Sequence, residues 1–325
     1  MSANVNETVT LTKKQMKKIE QAESAKGSLG KLPLWVNIIG YIIVVGFALC
    51  VLFPLLLLVM VSFTDDITLT LNGYSLFPEK FSIAAYKYLL ETGSQIFKSY
   101  GVTVAVTICG TFWALLAMTL FAYVISRDNF PWKSQFTFYV FFCMLFGGGM
   151  LPTYMVVCNI LGLRDTFWIL ILYGSLSPMY IFMMRTYMRT SVPPSVIESA
   201  QIDGAGEWRC YLTIMLPLSV PMIATIALFV AIRYWNDWNT SFLYIIKNDD
   251  LVPIQLMLKR IENNLQYLAN STDMSVAERE ALENTLPTES VRMALVVLVC
   301  APILLAFPFF QRYFVKGITV GAVKG

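Results

Sequence analysis

Residues 193–217 read Pro193-Pro-Ser-Val-Ile-Glu198-Ser-Ala-Gln-Ile-Asp203-Gly-Ala-Gly-Glu207-Trp-Arg-Cys-Tyr-Leu-Thr-Ile214-Met-Leu-Pro217, a short polar interlude between two long apolar runs. Pro193 and Pro194 suit the first turn of a helix, where a missing N–H forfeits no helical partner. Residues 195–203 can then run helically. Ile197, Ala200 and Gln201 fall on one face, with Glu198, Ile202 and Ala205 on the next. Gly204-Ala205-Gly206 permits a sharp turn, and Glu207–Leu216 can form a second helix that Pro217 hands to the following run. The pattern predicts a helix–turn–helix hairpin, and such a hairpin taken alone is an ordinary loop.

Working outward, the chain is 57% hydrophobic and only 14% charged, against roughly 25% charged residues in a soluble domain. A membrane span needs about 20 apolar residues. Six stretches qualify: Trp35–Val61, Tyr100–Ile125, Phe136–Asn159, Phe167–Tyr187, Pro221–Phe242 and Val291–Gln311. Long continuous apolar runs satisfy their backbone in lipid as helices, so the expected fold is an all-α membrane protein. Arg233, Asn236, Asp237 and Asn239 interrupt the second half of the fifth stretch.

Lysine and arginine set the orientation. With both ends inside, the inner segments hold fourteen of the 24 basic residues and the outer segments eight. Arg233 and Arg292 lie in or beside spans. The 193–217 hairpin then faces the cytoplasm. The polar N-terminal tail, with its Lys13–Lys18 cluster, precedes an apolar run too long for a signal peptide. It reads as a cytoplasmic tail before an uncleaved first span, either disordered or lying as an amphipathic helix on anionic lipid.

Absences narrow the chemistry. There is no histidine, which removes histidine-based triads and most zinc or haem sites. The six cysteines are scattered, with no Cys-x-x-Cys pair. Cys210 falls in the cytoplasmic hairpin and is expected to be reduced. No phosphate loop of the type Gly-x-x-x-x-Gly-Lys-[Ser/Thr] occurs, so ATP has no usual site here. Gly147-Gly148-Gly149, with Pro152, suits close helix packing or a backbone bend. No cofactor, catalytic group, metal site or nucleic-acid partner is expected.

The hairpin resembles the signature of bacterial ABC importer permeases, in which Glu-Ala-Ala, three residues, Gly, nine residues, Ile-x-Leu-Pro follow in order. Glu198, Ala200, Gly204, Ile214, Leu216 and Pro217 stand at the matching positions, and Ser199 replaces the usual second alanine. The stretch 97–311 is similar to the carbohydrate-uptake branch, through Ala200-Gln-Ile-Asp203-Gly-Ala205, Trp235-Asn-Asp-Trp-Asn239 and Gln311-Arg-Tyr-Phe-Val-Lys-Gly317. Within that branch it looks most like the maltose-type second permease subunit and its Gram-positive oligosaccharide relatives. Arg233 departs from that pattern, which leaves the substrate open.

The resemblance implies the type I importer permease fold: six transmembrane helices with both termini cytoplasmic. It divides the chain into a tail (1–31), a six-helix domain (32–312) and a second tail (313–325). The domain includes a coupling hairpin (191–216) and an outer loop (243–290). It implies that Glu198, Ser199, Ala200, Asp203, Gly204, Ile214, Leu216 and Pro217 meet an ATPase. The implied partners are a different permease subunit, two cytoplasmic ATPases, an extracellular sugar-binding lipoprotein and the lipid bilayer.

On a helical wheel, Arg233, Asn236, Asp237 and Thr240 share one face of the fifth span, and Trp235, Trp238 and Asn239 lie beside it. Arg233 can pair with Asp237 one turn on. Sugars present hydroxyl edges and C–H faces, so this set can line a wet path. The alternative is a tryptophan belt at the membrane interface. A permease for a peptide or amino acid also fits the same signature. A secondary carrier fits less well, since no repeated halves occur and ionisable groups are few. A membrane enzyme lacks a convergent set of nucleophile, base or metal ligands.

Overall fold

The computed structural model describes residues 33–92, 94–270 and 288–322. The expected N-terminal tail 1–31, Arg279 with the rest of 271–287, and Lys324 lie outside them. The chain divides into two compact units, residues 1–60 and 61–325. All but the last two residues of α1 (Leu34–Ser62) fall in the first; the helix is mostly apolar and carries Pro54 inside it.

The second unit opens with two short helices, α2 (Asp66–Asn72) and α3 (Ala84–Thr92). Then α4 (Ser94–Ser126) runs unbroken for 33 residues, about 50 Å at 1.5 Å per residue. It is the central rod. Ala114, Met118 and Ala122 on it are fully buried. Next, α5 (Lys133–Leu145) and α6 (Met150–Met155, prolonged by a π-helical turn Val156–Ile160) meet at an angle of 114°. The glycine triad makes this bend: Gly149 takes φ +81°, which favours glycine. Within this chain a Cβ at Gly147 meets nothing within 4 Å.

The expected span Phe167–Tyr187 is broken into α7 (Phe167–Leu172) and α8 (Pro178–Ser191). Gly174 turns the chain between them at φ +64°. The hairpin follows as α9 (Pro194–Ile202), α10 (Glu207–Cys210), a π-helical turn Tyr211–Met215 and α11 (Leu216–Leu218). A 77° bend separates that second limb from α12 (Val220–Asn236).

The expected helix through Phe242 stops at Asn236, and α13 (Asn239–Tyr244) begins a separate piece. The segment 243–290, read as an outer loop, contains the 17-residue α14 (Ile254–Asn270). Ile254 and Leu256 on α14 are fully buried, and the Ile254 amide donates to the buried Thr103 hydroxyl of α4 (2.9 Å). Finally, α15 (Glu289–Ala322) continues past the expected end at Gln311.

No strand forms among the described residues. Three helical stretches are long and apolar enough to cross a membrane, Trp35–Ser62, Ser94–Ser126 and Glu289–Ala306, or five if each bent pair counts once. One core holds the second unit's middle, with α4, α8 and α12 packed through Met118, Met184 and Ile226. A smaller one joins α3, the start of α14 and α15 through Leu89, Ile254 and Leu295.

Candidate functional site

The hairpin is shaped by its prolines and glycines. Pro194 sits in the first turn of α9. At the other end, Gly204 takes φ +84°, and the Ala205 amide donates back to Ala200 O at 2.9 Å. This closure satisfies carbonyls that a helix end otherwise leaves bare. Cys210 then donates its amide to Gly206 O and starts the second limb.

One side of the hairpin is anchored and the other is bare. Ile197, Cys210, Tyr211 and Met215 are buried, and Ala200, Ile214 and Leu216 pack half-buried against the same core. Glu198, Ser199, Asp203, Gly204 and Pro217 are exposed. Around the turn, Ile202 is 86% and Trp208 69% exposed, with Leu212 beside them at 56%. These three make an exposed apolar tip beside the exposed polar residues Glu198, Ser199 and Asp203. Glu198 also borders a small cleft of about 110 Å³ with Arg127, Asp128 and Arg189. In it, Asp128 is ion-paired to Lys133 and Arg189. The hydrogen bond and charge of Lys133, helped by Arg189 and Arg127, hold the Asp128 carboxyl below its usual pKa.

Glu207, which the sequence pattern did not single out, ties the hairpin to α4. The Tyr123 hydroxyl donates to Glu207 Oε2 (2.5 Å), and Gln201 Nε2 donates to Oε1 (2.7 Å). Arg127 Nε stands 3.4 Å from Oε2. Burial pushes the Glu207 carboxyl up, but the Tyr123 hydrogen bond, the Arg127 charge and the Gln201 amide outweigh it, leaving the pKa below its ordinary value. One turn earlier, the Thr119 and Tyr211 hydroxyls share a buried hydrogen bond (2.8 Å). The signal in the sequence was a polar spacing of four, Thr119, Tyr123 and Arg127, on an otherwise apolar run.

The polar set expected on the fifth span does not share a helical face, because the helix ends at Asn236 and the chain turns. Asp237, at the break, accepts from the Thr240 amide (3.0 Å) and hydroxyl (2.6 Å). It caps α13, and no Arg233–Asp237 ion pair forms. Arg233 instead donates from Nη1 to Gly174 O, while its Nε and Nη2 have no hydrogen-bond partner. Trp235 and Thr240 are buried. The Trp235 ring meets Tyr100 edge-on at 5.6 Å, and its Nε1 donates to Val299 O.

Asn236, Trp238 and Asn239 remain exposed. Asn236 Oδ1 accepts from Gln255 (3.2 Å), and Lys259 Nζ lies 5.4 Å from the Trp238 ring centre. Trp238, Gln255, Lys259, Glu262 and Arg292 line a cleft of about 410 Å³. The structure therefore keeps an exposed aromatic and amide cluster here and places Trp235 and Thr240 inside the fold. This cluster and the hairpin lie towards opposite ends of α4, beside Tyr100 and Tyr123 respectively.

The chain is similar to known proteins along most of its length. Residues 29–320 match the family described as "Binding-protein-dependent transport system inner membrane component", and the chain belongs to that family. It is 36% identical over 280 residues to the polygalacturonan/rhamnogalacturonan transport system permease protein YtcP of Bacillus subtilis (strain 168), covering 86% of this chain and 94% of the relative. It is 34% identical to the protein LplC of the same organism, covering 86% and 92%. Among solved structures, it resembles a chain of a bacterial ABC transporter involved in the import of the acidic polysaccharide alginate. The TM-score there is 0.73 and the identity 26%, over 86% of this chain and 96% of that one. The chain is thus a multi-pass permease of the cytoplasmic membrane.

Proposed function

We propose that this chain is one permease subunit of an ATP-driven importer of oligosaccharides, coupled through its hairpin to a cytoplasmic ATPase. The permease relatives and the importer structure support transport of sugars. Two of the transport systems named there handle uronate polymers, so uronate-bearing oligosaccharides are the class to test first.

The chain crosses the membrane six times with both ends inside, α7 and α8 together supplying the fourth crossing. A different permease subunit completes the path, two ATPases bind from the cytoplasm and an extracellular lipoprotein delivers the sugar. The chain itself carries out no bond chemistry; its work is to change shape.

The observation that carries this reading is the exposed hairpin turned at Gly204. Its inner side is held in the core, while Glu198, Ser199, Asp203 and the apolar tip Ile202 and Trp208 are free to enter a cleft on another protein. The exposed cluster of Asn236, Trp238 and Asn239, with Arg233 and Asp237 behind it, lines the outer part of the path. Tryptophan supplies a face for sugar C–H groups and the amides supply hydroxyl partners. Trp235 and Thr240 support this cluster from within.

The test is uptake of labelled oligosaccharides by proteoliposomes holding the complete complex, with ATP inside and binding lipoprotein outside. Uptake should require ATP and stop when the ATPase phosphate-loop lysine is replaced. Uptake that persists without ATP and follows an ion gradient would identify a secondary carrier.

A further inference from the structure

We infer that the Glu207 carboxylate is a positioning group that locks the hairpin to the last turn of α4, so that a push on the hairpin moves α4 and does not slide along it. This rests on the docking proposed above and concerns what happens after docking.

The apolar anchors beneath the hairpin, Ile197, Cys210, Tyr211 and Met215, supply attraction without direction. Packing of that kind tolerates small shifts of one element along another. Glu207 adds what packing lacks. Its two oxygens receive Tyr123 Oη from α4, Arg127 just past the end of α4, and Gln201 Nε2 from α9. Since Glu207 begins α10, one carboxylate holds both limbs of the hairpin and the end of the rod. The Gln201–Glu207 bond spans the Gly204 turn and fixes the angle between the limbs. The Tyr123 and Arg127 bonds fix the position of the pair along α4.

The geometry also says where such a push goes. Thr119 adds a second fastening one turn deeper, through Tyr211. From there α4 continues to Gly110 under the Tyr234 ring and to Tyr100 beside Trp235, at the level of the outer polar cluster. A rod fastened at the hairpin moves residues near the path. A rod merely touching it does not. Isolated surface ion pairs contribute little to stability. Half of the Glu207 side chain is exposed (53%), so its part in coupling should exceed its part in holding the fold.

The experiment uses the complete importer in proteoliposomes with Tyr123→Phe, Arg127→Lys, Glu207→Ala and the double variant Tyr123→Phe/Glu207→Ala. The readout is sugar transported per ATP hydrolysed, with complex yield and thermal midpoint measured alongside. In parallel, a cysteine at 199 is cross-linked to the ATPase in each background. With a lock, transport per ATP falls at least fivefold in Tyr123→Phe and Glu207→Ala while the 199 cross-link persists. The double variant is then no worse than the worse single, since both remove the same fastening. Glu207→Ala failing to assemble leaves the decision to Tyr123→Phe and Arg127→Lys, which remove less.

Unchanged transport per ATP in Tyr123→Phe, or single losses that multiply in the double variant, overturns the lock. Loss of coupling that tracks loss of complex yield overturns it too, because the residues then serve the fold alone. Absence of the 199 cross-link in the parent protein overturns the docking reading instead, and so the two failures are distinguishable.

Discussion

The Tyr234 ring of α12 lies directly on the bare Cα of Gly110 in α4. A Cβ built on Gly110 stands 2.7 Å from Tyr234 Cζ, well inside contact distance. The ring cannot swing away freely, because its hydroxyl donates to Ile171 O at 2.6 Å. Three helices, α4, α7 and α12, therefore meet at one point where only glycine fits.

Gly110→Ala should destabilise the fold by about 1–3 kcal/mol, the usual range for overpacking a close contact. Thermal unfolding of the detergent-purified complex measures it. Adding Tyr234→Leu should recover part of the loss, because it removes the atoms that clash. A Gly110→Ala protein as stable as the parent means the two helices separate without penalty.

Gly204 makes a contrasting case. A Cβ there meets nothing within 4 Å, yet φ is +84°, so a side chain is opposed by the backbone alone. Gly204→Ala should cost about 1–2 kcal/mol locally and lower uptake, while Gly204→Asn, which tolerates this region better, retains more activity. Equal uptake by both variants would mean that the turn angle does not matter for coupling.

Asp165 sits in a left-handed conformation at φ 56° and clamps the chain after α13. Its Oδ1 accepts the Ile246 and Lys247 amides at 2.6 and 2.8 Å. The Lys247 amide, against desolvation and with the Ile246 and Asn248 amides and Arg164 helping, holds its pKa below the ordinary value. A depressed carboxylate stabilises the fold above its unfolded pKa of about 3.9, and that contribution is lost as pH falls through the folded pKa. Asp165→Asn keeps the left-handed tolerance and removes the charge. It should lower stability by about 1–2 kcal/mol at pH 7, and the gap to the parent should close below about pH 4. Midpoint curves measured from pH 7 to pH 3.5 decide it; parallel curves throughout would show the charge to be irrelevant.

In a background without native cysteines, single cysteines at 236, 238 and 239 should react quickly with a hydrophilic thiol reagent from outside. Those at 235 and 240 should react at least tenfold more slowly, following the exposure of the parent residues. Trp238→Ala should lower uptake about tenfold without reducing complex yield, as expected for loss of about 1–2 kcal/mol of binding. Fast labelling at 235 and 240 would mean that α12 and α13 form the single helix expected from the wheel.

The sequence was legible where one local rule dominated. Apolar length alone marked α1, α4 and α15, and proline and glycine punctuation marked the hairpin down to the turn at Gly204. It was opaque where a particular hydrogen bond, distant or local, overrides the pattern. The fourth span reads as continuous, yet it turns at Gly174, whose carbonyl takes the Arg233 guanidinium from a distant helix. The wheel through Thr240 failed because Asp237 found a better partner three residues on than one turn back. Helix α14 was hidden by its polar face, although Ile254, Leu258, Ile261 and Leu265 keep helical spacing. Glu207 was passed over because its partners on and just past α4, Tyr123 and Arg127, lie about 80 residues away.

The most direct measurement of ATPase coupling is cross-linking from single cysteines on the cytoplasmic side to the ATPase in native membranes. Positions 199 and 203 on the exposed side of the hairpin are compared with 129 and 132 in the neighbouring loop. Hairpin docking predicts strong cross-links at 199 and 203, weak ones at 129 and 132, and a change in the hairpin cross-links when ATP is trapped. Strong cross-links at 129 and 132 with none from the hairpin would contradict it.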